Sequence, residues 1–485
     1  MTDLAFSPAT ELAAMVRTKR IGCRELLDHY VARVERLNPR LNAVVTLDVE
    51  RARARADAAD RVSTRGDTVG PLHGLPVTIK DCFETAGLRT TSAAPDLARH
   101  VPTTDAVSVA RLVGAGANVF GKTNLPIYAG DVQTFNTLFG TTNNPWDPTR
   151  SPGGSSGGAA AAVAAGLTAF ELGSDIGGSI RNPAHYCGIY GLKPSFGLVP
   201  TFGHVPYAPG SRLEEDINVV GPLARSAEDL ALVFDTLAGP TEERAVAWRL
   251  ALPPPRHASL REYRVAAWLD DPACETDAPV RERLDAVVAA LRDAGAVVDE
   301  RARPEFTLDE AFRTYSALLG ATMSPGIADD LFDAQVAFAD QLPRGDDSAV
   351  TRFVRGFTAR HREWLRVGET RERLRAAWAR FFRDWDLLLC PISPVAAQPH
   401  NQEGEVIARQ MRVNGRDRSY LDQIVWAGAI GLAYLPSVVA PVGRTSEGLP
   451  VGAQLVGPYL EDRTPLDVAR RLADVVGGFV PPPGY

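Results

Sequence analysis

The chain has 485 residues, with 59 acidic against 52 basic side chains for a formal charge of −7, and 45% of it is hydrophobic. That is globular composition with length enough to bury a large site, and without a basic stripe or cluster there is no electrostatic footing for a nucleic-acid or anionic-membrane partner. Five scattered cysteines (Cys23, Cys82, Cys187, Cys274 and Cys390) lack the density of a disulfide framework and the spacing of a zinc knuckle, so reduced thiols and a cytoplasmic location are expected.

The first residues, MTDLAFSPATELAAMV, hold no basic segment leading into an apolar run, so no secretory or transit signal is read. Residues 7 to 64 read as helices. Ser7 is the expected cap with Pro8 at the first helical position, Leu26, Leu27, Tyr30, Val31 and Val34 recur at helical spacing, and Asn38-Pro39 is expected to stop that run. A third helix is expected over about Leu47 to Ser63. Val77 to Ile79 reads as a buried strand ending on Lys80-Asp81, Val107 to Ala115 as a helix closed by Gly116, Asn118 to Phe120 as a strand, and Ala159 to Ala165 as a small-residue helix. Beyond a Pro-rich link at 253–255 come strand 263–268, helix 280–294 and strand 296–298. A mostly helical, Arg/Asp-rich stretch follows over 305–383, then strands 386–389 and 437–440 and a helix from about Pro465. The uncharged run from Gln423 to Gly443 is broken by Pro436 and Pro441 and is not read as a membrane span. Alternating helices and strands imply an α/β sheet covered by helices. Strands on both sides of the 305–383 stretch make residues 1–485 read as one large domain, with 1–65 and 305–383 as helical subregions.

Lysine usage narrows the search for chemistry. Only Lys19, Lys80, Lys122 and Lys193 are lysine, leaving arginine at the other 48 of the 52 basic positions. Arginine stays charged in a protein, whereas a desolvated lysine loses its proton.

Three glycine-rich motifs compete. Gly116-Ala-Asn-Val-Phe-Gly121-Lys122-Thr123 satisfies the P-loop pattern, but its spacer is strand-like and Asn124-Leu-Pro126 stands where a helix should open. Lys122 therefore reads as a structural or site-wall lysine. Gly153-Gly-Ser155-Ser156-Gly157 satisfies the nucleophile-elbow pattern of an α/β-hydrolase, yet the polar, Pro-broken 141–149 segment before it is no central strand. That reading stays as the runner-up, a serine esterase with His361 or His400 as base. Gly173-Ser-Asp175-Ile176-Gly177-Gly178-Ser179-Ile-Arg181 leads an apolar approach into a turn whose successive amides suit a developing oxyanion, although alone it reads equally as an ordinary glycine turn.

Together these segments resemble the amidase signature family. The resemblance rests on Pro71-Leu-His-Gly-Leu-Pro-Val-Thr-Ile-Lys80-Asp, on Pro152-Gly-Gly-Ser155-Ser-Gly-Gly158, and on Ser179 placed 24 residues after Ser155 (179 − 155). Cys187-Gly-Ile-Tyr-Gly-Leu-Lys193-Pro-Ser, Gly221-Pro-Leu-Ala-Arg-Ser226 and Gly448-Leu-Pro-Val-Gly-Ala-Gln-Leu-Val-Gly457-Pro extend it over most of the chain, with residues 241–385 carrying least. It implies a mixed β-sheet sandwiched between α-helices and a Ser-cisSer-Lys amidohydrolase acting on linear carbon-nitrogen bonds. Ser179 would be the nucleophile, Ser155, preceded by a cis peptide, the bridging serine, and Lys80 a base that works only as a neutral amine. The amides of Ile176, Gly177, Gly178 and Ser179 would form the oxyanion hole, and Ser156 would steady Ser155.

Asp175 and Arg181 read as a pair fixing the nucleophile loop, with recognition of an anionic substrate group by Arg181 as the alternative. Tyr128, Asp131, Gln133 and Trp146 are pocket candidates. Ile127, where the family often has glutamate, tilts the expected acyl group toward apolar or aromatic, and Ala159 replaces a frequent serine. His185 reads as a polar residue of the site wall, and Cys82 and Cys187 as small buried hydrophobes. Selectivity is expected in 127–146, 200–216, 310–345 and 400–435. No metal-ligand spacing occurs, so no metal and no cofactor are expected. The expected partners are a small-molecule amide and water, with a homodimer open. Rivals are an amidotransferase component that works on glutamyl-tRNA within a complex and an inactive binding protein on the same scaffold.

Overall fold

The computed structural model describes residues 4–68, 70–205 and 208–485. Strands β1 (Val44–Leu47), β2 (Pro76–Lys80) and β3 (Asn118–Thr123) form a three-stranded sheet in the order β1-β3-β2, with β2 and β3 parallel. The short pair β4 (Phe135–Asn136) and β5 (Gly140–Thr141) stands apart. The main sheet contains β6 (Glu171–Asp175), β7 (Tyr190–Lys193), β8 (Val219–Ala224), β9 (Arg264–Ala267), β10 (Val297–Asp299), β11 (Leu387–Cys390), β14 (Ser437–Arg444) and β15 (Pro450–Val456). Its order is β10-β9-β11-β15-β14-β7-β8-β6, parallel at the β10-β9-β11 end and antiparallel elsewhere. Strands β12 (Gln410–Val413) and β13 (Arg416–Ser419) form a separate hairpin.

Side chains alternate between two cores along the strands, as a sheet covered on both faces requires. Leu387 and Leu389 join the larger core with Val280, Leu284, Leu466 and Leu472 from helices Ala278–Asp293 and Arg463–Val476. Their neighbours Leu388 and Cys390 face the opposite core, with Tyr315, Trp378, Phe381 and Trp426. Near the sheet centre, helices Gly157–Ala164 and Arg181–Cys187 pack through Ala160, Val163 and Ala184, together with Ile180, against Val439 and Leu223.

At the β6 edge the two sheets meet. Ala169 N donates to Pro76 O (3.3 Å) and Thr78 N to Thr168 Oγ1 (3.0 Å), which sets β2 alongside the approach to β6. The last residue of β2, Lys80, and the penultimate residue of β6, Ser174, are thereby brought side by side.

Several expected boundaries move for identifiable reasons. The first helix is Ala9–Arg17, capped not by Ser7 but from 220 residues away. The buried Asp229 carboxylate accepts Ala9 N and Thr10 N at 2.8 Å each and Thr10 Oγ1 at 2.9 Å, satisfying amides that a local side chain otherwise serves. Asn38-Pro39 does not end the second helix, which runs Cys23–Leu41 with Pro39 in its last turn and Asn42 in the left-handed conformation closing it. The third helix starts at Val49, because Leu47 ends β1. Strand β3 continues past Phe120 through Lys122, which confirms that no phosphate loop forms there. The stretch expected to be helical resolves into helices Leu308–Met323, Asp329–Gln341, Ala349–Phe357 and His361–Asp384. No helix among the described residues is long and apolar enough to cross a membrane.

Replacing Asp229 with alanine should lower stability by about 1–2 kcal/mol through loss of this long-range cap. Urea unfolding of the purified chain measures it, and an unchanged midpoint would contradict the capping role.

Candidate active site

Lys80 is fully buried at the end of β2. Its Nζ lies 2.7 Å from Ser155 Oγ and donates to Ser174 Oγ at 3.0 Å, with no carboxylate among its hydrogen-bond partners in the described residues. Burial pushes the ammonium well below the ordinary lysine range, and the charges of Asp175 and Glu171 offset this only in part. Ser174 stands outside the roles that the sequence motifs suggest. Its only signal there is its place directly before Asp175.

Ser155 follows a cis Gly154–Ser155 peptide. Gly153 sits at φ 86°, and a Cβ on Gly154 would stand 2.7 Å from Asp131 O and from Gln133 N and O, so the turn admits no side chain at either position. Ser156 links the two serine loops: its N–H donates to Ser179 O (3.1 Å) and its hydroxyl to Ser174 O (3.4 Å). Ser179 lies on the turn after β6 and faces a cavity that Ser155 also lines. Among the described residues its hydroxyl makes no hydrogen bond, to Ser155 or to any other group.

The turn carrying Ser179 is held by a fully buried ion pair. Arg181 donates Nη2 to Asp175 Oδ1 (2.7 Å) and Nε to Asp175 Oδ2 (3.0 Å), while its Nη1 reaches Ala427 O (2.9 Å) and Gln454 Oε1 (2.8 Å). Asp175 also accepts Gly178 N (2.9 Å), Ile180 N (3.0 Å) and Arg181 N (3.2 Å). Burial works to raise its pKa, but the Arg181 guanidinium prevails and holds the carboxyl at about 2. With every guanidinium nitrogen engaged, and with the side chain fully buried and off the cavity lining, Arg181 does not present itself to an anionic substrate. The expected oxyanion donors also need correction, since the Gly178 amide is already committed to Asp175. The amides of Ile176, Gly177 and Ser179 carry no such bond.

The cavity has a volume of about 450 Å³. Tyr128 and Asp131 line it. The Tyr128 hydroxyl donates to Asp96 (2.5 Å), and Asp131 is paired with Arg409 (2.7 Å) while accepting the Tyr420 hydroxyl (2.7 Å). Gln133 and Trp146 do not line it. Gln133 bonds Asn401 O (2.7 Å) and Tyr420 Oη (2.8 Å), and the Trp146 indole donates to Cys187 O (2.9 Å), so packing with distant segments uses both. Ile127 is 40% exposed and also off the lining. The apolar character of the cavity comes instead from Ile176, Phe312, Leu319, Met323, Phe353 and Ile424. Phe353 belongs to helix Ala349–Phe357, just outside the 310–345 segment expected to hold selectivity.

His185 is not part of the wall. Its Nδ1 accepts from Gly452 N (2.7 Å) and its Nε2 bonds Val395 O (3.0 Å), which clamps helix Arg181–Cys187 to β15. His361 and His400, the bases of the hydrolase-elbow alternative, are absent from the lining. All five cysteines are free and buried. No cluster of His, Cys, Asp and Glu suited to a metal occurs among the described residues.

The amidase family's sequence profile matches residues 25–466. The chain belongs to the amidase family. It is 32% identical over 479 residues to a glutamyl-tRNA(Gln) amidotransferase subunit of Thermosynechococcus vestitus, covering 95% of this chain and 96% of that one. To the corresponding protein of Thermus thermophilus it is 35% identical over 489 residues, covering 95% of each. A crystal structure of an amidase superposes with a TM-score of 0.79 at 28% identity, covering 97% of this chain and all of the other. The amidase fold, a mixed sheet between helices, is thus shared along nearly the whole length.

Removing the partner of a buried carboxylate is costly. Arg181→Met should destabilise the protein by about 3–5 kcal/mol in urea unfolding. In the wild type, the contribution of Asp175 should be complete above its ordinary pKa of 3.8 and be lost as pH falls toward about 2, because its folded value is depressed. Stability measured against pH should show that loss, and the Arg181→Met variant should lack it.

Proposed function

We propose that this protein is an amidohydrolase that cleaves a carboxamide, or a related carbamate or ester, through a serine acyl-enzyme. Ser179 attacks the carbonyl carbon. Its proton passes by way of Ser155 to Lys80, and the electron pair of the C=O bond moves onto oxygen. The amides of Ile176, Gly177 and Ser179 then face the developing oxyanion, each well-placed donor being worth about 3 kcal/mol. Collapse of the tetrahedral intermediate expels the amine, which takes the proton back through Ser155. Water attacks the acyl-enzyme by the same route and frees Ser179.

The observation that carries this reading is a fully buried amine set 2.7 Å from a serine hydroxyl, with hydroxyls and no carboxylate as its hydrogen-bond partners among the described residues. Ion pairing would keep such a lysine charged, whereas burial among hydroxyls favours the neutral base that the reaction needs.

The second reading, an amidotransferase component working with partner subunits on glutamyl-tRNA, is favoured by the names of the relatives at 32 and 35% identity. Against it stand the formal charge of −7 and a cavity whose described lining includes no lysine or arginine, which offers no counter-charge to a carboxylate or a phosphate. A panel of anilides, aliphatic amides, carbamates and esters, followed by released amine or alcohol, separates the two readings. Turnover by the chain alone favours the hydrolase, and turnover that appears only with partner proteins and charged tRNA favours the other.

Ser179→Ala should abolish both turnover and labelling by a fluorophosphonate. Lys80→Ala should lower kcat/KM by about 10²–10⁴-fold, and Lys80→Arg should do no better, since a guanidinium stays protonated. Wild-type kcat/KM should rise with pH to a plateau as the amine loses its proton. Full activity in any of these variants contradicts the assignment.

A further inference from the structure

The cavity lining holds three carboxylates, and two of them are neutralised. Asp131 pairs with Arg409 (2.7 Å) and Asp422 with Arg418 (2.9 Å). Glu215 has no basic partner among the described residues. It accepts a hydrogen bond from Asn218 Nδ2 (2.9 Å), and the same nitrogen lies 3.2 Å from His204 Nδ1. An amide nitrogen only donates, so Nδ1 of His204 accepts and the ring proton sits on Nε2. Burial pushes His204 down to about 3, so the ring is neutral and gives Glu215 no positive charge. His204 Nε2 is itself buried without a hydrogen-bond partner among the described residues. All three residues line the cavity together with Ser155 and Ser179.

The arginines that reach this stretch of chain are committed to the acids on either side of Glu215. Glu214 pairs with Arg244 (3.3 Å), and Asp216 is held by Arg371 and the Tyr434 hydroxyl at 2.5 Å each. Burial accordingly pushes the Glu215 carboxyl up to about 7, with the Asn218 bond opposing it. A half-buried carboxylate with no lysine or arginine in the described lining of its chamber is a group that a cation would stabilise, because a buried charge is stable only when it is paired. Phe312, Leu319, Met323 and Phe353 of the same lining offer an unbranched or aromatic stem dispersion contacts.

We propose that Glu215, oriented by Asn218 and His204, is the recognition point for a cationic amino group on the substrate, whose apolar stem lies along Phe312, Leu319, Met323 and Phe353. The substrate class is then an amphipathic amide with an ammonium remote from the scissile bond. Glu215 is a specificity residue and takes no part in the chemistry. The proposal rests on the cavity being the substrate site, as in the function proposed above.

The test is calorimetric titration of the full chain with n-pentylamine and with 1-pentanol, in the wild type, Glu215→Gln and Glu215→Asp, each checked for an unchanged melting temperature. Pentylammonium should bind the wild type about tenfold more tightly than pentanol does, and Glu215→Gln should erase that preference. Glu215→Asp, which keeps the charge on a shorter stem, should retain part of it. Between pH 6 and 8 the wild-type affinity for pentylammonium should rise, because the carboxylate form increases through about 7. Equal affinity of pentylammonium for wild type and Glu215→Gln, no detectable binding to the wild type, or an affinity falling over that pH range would overturn the proposal. Fluorophosphonate labelling of Ser179 separates the two readings. If Ser179 is never labelled, the hydrolase reading fails while a Glu215-dependent amine site stands; if it is labelled and pentylammonium neither binds nor protects it, the ammonium site alone fails.

Discussion

A primary amine taken out of water without an anion beside it is the constraint around which this structure is arranged. Three of the four lysines share the first half of that condition: Lys80, Lys122 and Lys193 are all buried, and only Lys19 stands in solvent. Burial lowers each of the three, Lys193 to about 7. Their surroundings set them apart. Lys122 is fixed by Phe83 O and Thr85 Oγ1, and Lys193 by Pro194 O, whereas Lys80 meets two serine hydroxyls, both on residues that line the cavity.

The sheet architecture delivers that amine to the serines. Lys80 ends β2 and Ser174 nearly ends β6, and the seam between the two sheets sets them side by side. The turn after β6 then has to hold Ser179 against the cavity, which the Asp175–Arg181 pair does by tying three backbone amides and a guanidinium to one carboxylate. An amide bound to Asp175 is rigid but occupied, so the loop divides its N–H groups between holding itself and facing the cavity.

Much of this was legible in the amino-acid sequence, and the remainder divides along a physical line. Lys80, Ser155 and Ser179 lie in the short runs that carry the resemblance to the amidase signature family, and the Asp175–Arg181 pair lies beside Ser179 in one of them. Elements such as β2 and helix Gly157–Ala164 declare themselves through apolar runs and glycine boundaries. What escaped was set by contacts distant in sequence. Asp229 caps a helix 220 residues earlier, Trp146 turns to Cys187 O, and Gln133 is drawn to Asn401 and Tyr420. The Glu215–Asn218–His204 chain is a nearer case: His204 and Glu215 fall in the 200–216 stretch expected to hold selectivity, but no motif singles them out there. Ile127, from which an apolar or aromatic acyl group is expected, is off the cavity lining, whose apolar residues come from other segments.

Arg181 reaches forward to Ala427 and Gln454, so the turn at residue 179 is braced by backbone and side chain that emerge from the ribosome almost 250 and 275 residues later. A nascent chain has its three polar side chains long before it has the struts that hold the turn. The turn therefore gains its last supports only once Ala427, and then Gln454 of β15, have been made. An unfinished polypeptide carries Lys80, Ser155 and Ser179 without the contacts that hold the turn in place.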